Sequence, residues 1–189
     1  MVHIFDTREI MVSSLIPSNS VICEIGVFKG DFSKFLNSLN PQMLILIDYF
    51  QGMAKSGDQD GNNVQSANLN DEYIKIKEWA LDFNNITVVK GDSSSTLSSY
   101  PNQFFDMIYL DGDHSYEGVR KDLEQAILKV KKGGWIMGHD YEMNMAKAKT
   151  RWSFGVSRAV NEFCQNYKQT IFAKGNDGCV SFAIQIVSV

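Results

Sequence analysis

The chain has few cysteines, no excess of positive charge and no long apolar leader, and each shortage excludes something. Cys23, Cys164 and Cys179 are odd in number and far apart, with no C-x-x-C or Cys/His finger spacing. A disulfide framework and a zinc finger are therefore excluded, and reduced, mostly buried thiols of a cytoplasmic-type protein are expected. The formal charge of −4 repels phosphate backbones, which argues against nucleic acid as the main partner. The opening stretch MVHIFDTREIMVSSLIP carries acids and no extended apolar core, so neither a signal peptide nor a membrane span is expected. Repeats and low-complexity segments are missing as well. At 189 residues, the chain is long enough for one α/β domain with a full core and too short for two ordinary ones.

What is present is an alternation of strand-like and helical patterns, the signature of a parallel sheet with crossover helices. The apolar runs lie at 20–27, 43–50, 85–92, 104–113, 133–140, 169–175 and 179–187. Between them fall helical stretches at 31–39, 71–83, 116–130 and 155–167, and residues 1–18 suggest a short N-terminal helix capped by Asp6 or Thr7. Val119, Leu123, Ala126, Ile127 and Val130 form one apolar helical face, as do Val156, Ala159, Val160 and Phe163. The last two runs are joined only by the turn signal GNDG, which predicts an antiparallel hairpin at a sheet edge. Residues 51–70, rich in Gly, Asn, Asp and Ser, read as a long loop of the kind that serves as a lid. The basic run LKVKKGG reads as a solvated helix end favourable to the helix dipole.

In open parallel sheets, ligands sit beyond the carboxyl ends of the strands, so the strand ends are read together. The first run ends CEIGVFKG, placing Glu24 and Gly26 in a tight turn and Gly30 before a helix. Glycines there admit a ligand close to the backbone, and the helix N-terminus supplies free N–H groups. The spacing E-x-G-x-x-x-G is not that of a pyrophosphate site, and an acid at the turn suits a cationic or zwitterionic ligand better. Asp48 ends the second run about twenty residues beyond Gly26, where an acid accepts from ribose hydroxyls. Asp92 ends the third, able either to accept from an adenine amino group or to cap a short helix at 93–98. Three acids above a glycine turn suit an adenosine moiety that carries positive charge. The fourth run ends DGDHSYEGV, an unusual load of two carboxylates and an imidazole on a buried strand.

With EIGVFKG, Asp48, GDSS, LDGDHSYEGVRKDL, GGWIMGHDY and GVSRAVNEF in view, the chain resembles class I S-adenosylmethionine-dependent methyltransferases over nearly its whole length. It resembles the small-molecule O-methyltransferase branch that includes the macrocin and novobiocin-sugar enzymes, and more distantly the catechol and caffeoyl-CoA ones. The resemblance implies a Rossmann-like α/β fold: seven strands in order 3-2-1-4-5-7-6, strand seven antiparallel, with helices on both faces. It implies a single domain over 1–189, with 51–70 and 141–154 as lid or substrate loops. The cofactor set it implies is Glu24, Gly26, Gly30, Asp48, Tyr49, Asp92, Ser93 and Asp111. It also implies a divalent ion, Mg²⁺ or Mn²⁺, on Asp111, His139 and Asp140, with the acceptor hydroxyl completing the shell. Asp113 and His114 compete as catalytic base, His114 having the better unperturbed pKa. One departure stands out, since metal-binding members usually carry Asp-Asp or Asp-Asn where this chain has His139-Asp140.

The expected activity is methyl transfer from S-adenosylmethionine to a hydroxyl of a small acceptor, a sugar or glycosyl group being favoured, in a cytoplasmic protein whose oligomeric state is left open. Alternatives are a metal-independent enzyme with His114 or His139 as base and a non-catalytic S-adenosylmethionine-binding scaffold, which would need no DGDH or HDY cluster. A nicotinamide oxidoreductase is opposed by Glu24 and the missing G-x-G. Nucleobase amino-methylation needs a [DN]-P-P-[FYW] motif, and Pro17, Pro41 and Pro101 do not provide one. Trp79 and Trp135 read as core residues. Arg151 and Trp152 fall in the loop after the fifth run.

Overall fold

The computed structural model describes residues 1–51, 66–143, 155–176 and 178–187. In chain order, β1 (His3–Phe5) and α1 (Arg8–Leu15) precede β2 (Val21–Ile25), α2 (Asp31–Ser38), β3 (Met43–Asp48), α3 (Ser66–Ala80) and β4 (Ile86–Lys90). Then follow α4 (Ser93–Ser98), β5 (Phe105–Leu110), α5 (Tyr116–Lys129), β6 (Val130–Met143), α6 (Val156–Asn166), β7 (Ile171–Asn176) and β8 (Cys179–Gln185). The sheet order is β1-β7-β8-β6-β5-β2-β3-β4, with β8 antiparallel to both neighbours and every other pair parallel. Leaving β1 aside, this is the expected order with its terminal hairpin.

The strands read as continuous apolar runs because both faces are covered. Their side chains alternate between two cores. Cys23, Ile45, Ile108 and Ile136 pack with Leu97 of α4, Leu123 of α5 and Phe163 of α6. Ile22, Leu44, Met107 and Met137 pack with Met11 of α1, Leu36 of α2 and Ile76 of α3.

Four expectations change. The sheet has eight strands, because His3–Phe5 pairs in parallel with β7 ahead of the helix that Thr7 caps. Three residues are too few to show a period, so only the cap was visible. Residues 66–70 belong to α3 and 141–143 to β6; residues 52–65 and 144–154 of the two expected loops, Arg151 and Trp152 included, lie outside the described residues. Lys129 is buried rather than solvated, its ammonium donating to Tyr100 O at 2.7 Å and Asn102 Oδ1 at 3.0 Å beyond the end of α4. Of the thiols, only Cys23 is fully buried. Among the described residues no helix is long and apolar enough to cross a membrane.

Candidate functional site

The glycine turn is organised by Asp48. Its Oδ2 accepts the N–H groups of Val27 (2.7 Å) and Phe28 (2.9 Å), and its Oδ1 that of Phe50 (2.7 Å). Phe28 and Phe50 both adopt left-handed backbone, φ +51° and +47°, a conformation that costs about 1–3 kcal/mol per residue unless the surroundings hold it. One carboxylate thus holds two strained aromatic residues beside the turn. Beneath it, buried Glu24 accepts a short hydrogen bond from Ser33 Oγ of α2. Burial pushes the Glu24 carboxyl up to about 8.

Asp92 caps the short helix, one of the two roles the sequence left open to it. Its Oδ1 caps α4 by accepting from Ser95 N at 2.7 Å, and its Oδ2 accepts from the hydroxyl of exposed Tyr49 at 3.1 Å. Hydrogen bonds from Ser95, then that from Tyr49, hold its carboxyl below the ordinary range. Ser93 Oγ turns inward and donates to Asp122 of α5 at 2.5 Å. Burial pushes Asp122 up to about 6.

The ends of β5 and β6 bring Asp111, His114, His139 and Asp140 together. His114 Nε2 lies 3.3 Å from Asp111 Oδ1 and 3.4 Å from Asp140 Oδ2. His139 Nδ1 lies 3.2 Å from Asp140 Oδ1 and 3.9 Å from Asp111 Oδ1. Burial pulls the His139 ring down, but its hydrogen bond with Asp140 and the charges of Asp111 and Asp140 outweigh this and raise it above its ordinary value. For Asp140 burial acts upward, and the His139 hydrogen bond and the two imidazoles more than offset it. Asp140 itself has φ +55°, strain placed at the site. The ligating atoms of Asp111, His139 and Asp140 all lie within 4.8 Å of one another, so this donor set of two carboxylates and an imidazole fits one divalent ion.

Asp113 is not drawn into this cluster by any hydrogen bond. Its Oδ1 accepts Ser115 N at 2.8 Å, and its carboxyl group packs against Gly118 on the first turn of α5. Ser115 is the residue that caps that helix. The chain is tied back to the same turn at Gly155, whose N–H donates to His114 O at 2.9 Å.

Residues 23–141 match a family described as a methyltransferase domain. The chain belongs to this methyltransferase-domain family. A curated relative, uncharacterized protein R132 of Acanthamoeba polyphaga mimivirus, is 30% identical over 142 residues, 74% of this chain and 57% of that protein. The match thus spans little more than half of that relative's length. Among solved structures, the N-methyltransferase NodS from Bradyrhizobium japonicum WM9 is similar with a TM-score of 0.64 at 13% identity, over 96% of this chain and 93% of that one. Its complex with S-adenosyl-L-homocysteine gives 0.63 at 14%, over 96% and 85%. An rRNA methylase from Streptococcus thermophilus gives 0.61 at 11%, over 95% and 94%. At such identities the likeness is one of fold.

The methyltransferase-domain match takes in every candidate from Glu24 to Asp140 and leaves out two residues that reach the cluster, Cys179 beside Asp140 and Arg8. Arg8, at the start of α1, has Nη1 3.2 Å from Asp111 Oδ2. Sequence reading passed over Arg8 because 103 positions separate the partners. Asp122 was missed too, although a carboxylate on the buried side of α5, one residue before Leu123, was a visible signal.

Proposed function

We propose that the chain is an S-adenosylmethionine-dependent O-methyltransferase acting on a hydroxyl of a small acceptor, with a sugar or glycosyl group favoured, and assisted by Mg²⁺ or Mn²⁺. The observation that carries the reading is the convergence of Asp111, His114, His139 and Asp140 beside the glycine turn of a methyltransferase-domain chain. When bound, S-adenosylmethionine supplies a methyl group on a sulfonium, and a divalent ion held by Asp111, His139 and Asp140 supplies Lewis acidity toward an acceptor oxygen.

The chain's own residues do the rest. Glu24 and the turn at Gly26 receive the amino-acid end of the cofactor. Asp48 keeps a lone pair on Oδ1 for a ribose hydroxyl after accepting Phe50 N–H. Asp92 and Tyr49 stand at the adenine edge, with Ser93 fixed beneath them by Asp122. His114 takes the acceptor proton, and Asp111 and Asp140 on either side stabilise the charge this leaves on its ring. A hydroxyl must lose its proton as it attacks, which is what a base flanked by carboxylates suits. The preference for a sugar rests on the resemblance of the DGDHSYEGV and GHDY stretches.

One observation favours a second reading, in which no ion is needed. His114 Nε2 lies within 3.4 Å of both carboxylates, so the acid–imidazole set is closed by its own contacts. Calorimetric titration of S-adenosylhomocysteine, with Mn²⁺ and then with EDTA, separates the two. Micromolar binding together with a distinct Mn²⁺ heat that vanishes in Asp111→Ala supports the metal-assisted enzyme. Binding indifferent to EDTA leaves the base to His114 or His139 alone, and absence of binding ends the methyltransferase reading. Methyl transfer from labelled S-adenosylmethionine to a panel of hydroxylated sugars then tests the acceptor class.

A further inference from the structure

We propose that Arg8 is a positioning residue for Asp111, delivered to the site by the additional edge strand; its meaning for turnover rests on the reading of Asp111 given above. Arg8 takes one oxygen of that carboxylate and leaves the other for the imidazoles. Its Nη1 lies 3.2 Å from Oδ2, while Oδ1 faces His114 Nε2 at 3.3 Å and His139 Nδ1 at 3.9 Å. A carboxylate held by one oxygen has its plane fixed, whereas the terminal torsion of a free aspartate is broad. The guanidinium is itself held: its carbon lies 4.3 Å above the Phe32 ring, and Nε reaches Glu9 Oε1 at 3.3 Å.

The local fold is built to bring it there. β1 pairs in parallel with β7 through His3–Ala173 and Phe5–Gly175, so its carboxyl end lies on the same side of the sheet as that of β6. Thr7 then caps α1 by accepting Ile10 N–H, and the helix starts at Arg8 against β7. A β-carbon on Gly175 would lie 2.9 Å from Arg8 Cα and N, so only glycine lets the first turn of α1 seat this closely. An ion pair with both side chains only about a fifth exposed is weak evidence for stability as such, because desolvation offsets most of the attraction. What it does achieve is geometry, as outer partners of reacting carboxylates and ligands do elsewhere.

The direct test needs neither cofactor nor acceptor. Long-range ¹H–¹⁵N spectra of the imidazoles in the whole protein, at one fixed pH, are compared among wild type, Arg8→Met, Arg8→Lys and Asp111→Asn. Arg8→Met is expected to shift the His114 and His139 resonances, and Arg8→Lys, which keeps the charge but only part of the fork, to shift them by less. Asp111→Asn, which removes an anion where Arg8→Met removes a cation, shows that both rings report on this carboxylate. Should Arg8→Met not fold, Arg8→Lys alone decides, by shifting or not. Imidazole resonances of the folded Arg8 variants that stay at wild-type positions while Asp111→Asn moves them overturn the proposal.

A second readout uses an acceptor from the sugar panel. Arg8→Met should lower kcat about 10- to 100-fold with little change in the KM for S-adenosylmethionine. The Arg8→Met/Asp111→Asn pair should be no slower than Asp111→Asn alone, because the two residues act as one unit. Losses that multiply overturn the assignment. A wild type that shows the imidazole coupling but never binds S-adenosylhomocysteine sinks the methyltransferase reading and leaves the positioning role standing.

Discussion

Gly26 and the main-chain carbonyl of Asp111 approach so closely that a β-carbon on the glycine would lie 2.0 Å from the carbonyl oxygen. The end of β2 is thereby pressed against the end of β5, and Asp111 N–H donates to Ile25 O at 2.7 Å across the same contact. The glycine turn and the strand end that carries the acid are one rigid unit.

Gly26→Ala should therefore be severe. Its φ of +86° is strained for any L side chain, and the neighbour in the way is backbone that cannot rotate aside. A destabilisation on the order of 3 kcal/mol is expected in urea unfolding, with loss of S-adenosylhomocysteine binding in whatever remains folded. A variant that keeps both would refute the rigid contact.

Asp48→Ala removes the acceptor for three backbone N–H groups and releases two residues from left-handed backbone. About 1–3 kcal/mol of stability should go with it, the usual consequence of leaving partly buried donors unmet. Affinity for S-adenosylhomocysteine, read by calorimetry, should fall further than stability does. Asp48→Asn should lose less, since its amide oxygen can still accept from Val27 and Phe28 while its nitrogen cannot accept from Phe50.

Glu24 makes a prediction about pH. Its folded value of about 8 lies above the ordinary 4.5, so the native state keeps a proton that the unfolded chain releases. Between those values the unfolded state binds fewer protons, and stability falls as pH rises through the window. Thermal melts of wild type should decline from pH 5 to 8 more steeply than those of Glu24→Gln, which retains an acceptor for Ser33 without a proton to lose. Parallel curves would mean that Glu24 is ionised in the folded protein.

His114 and Asp113, adjacent in sequence, should separate cleanly in assay. His114→Asn is expected to lower kcat by about 10²–10⁴. Asp113→Asn should leave turnover close to wild type and cost about 1 kcal/mol of stability through the Ser115 turn. The opposite ranking would return the base to Asp113.

Much of this was legible from the order of residues. Strand ends announce themselves where apolar runs stop in Glu24, Asp48, Asp92 and Asp111, and the parallel sheet then dictates that these ends share a rim. The GNDG turn between β7 and β8 was equally plain. What stayed hidden depends on distance along the chain or on side-chain direction. β1 is too short to show alternation, and Arg8 meets Asp111 only because β1 joins the far edge of the sheet. Lys129 looked solvated because a long stem can carry its charge to backbone carbonyls, Ser98 and Tyr100 here, that no local pattern reveals. That the Asp113 carboxylate turns back onto the first turn of its own helix is likewise something the D-x-D spacing does not say.

At the end of β6, Met143 pairs with Cys179, and ahead of α6 Gly155 is pinned on the carbonyl of His114. Both moorings belong to the framework that holds the acid–imidazole cluster. The consequence is mechanical: a displacement of α6 is passed through Gly155 to the carbonyl of His114, and one of β8 through Cys179 to the strand that carries His139 and Asp140, so neither element shifts without dragging the cluster.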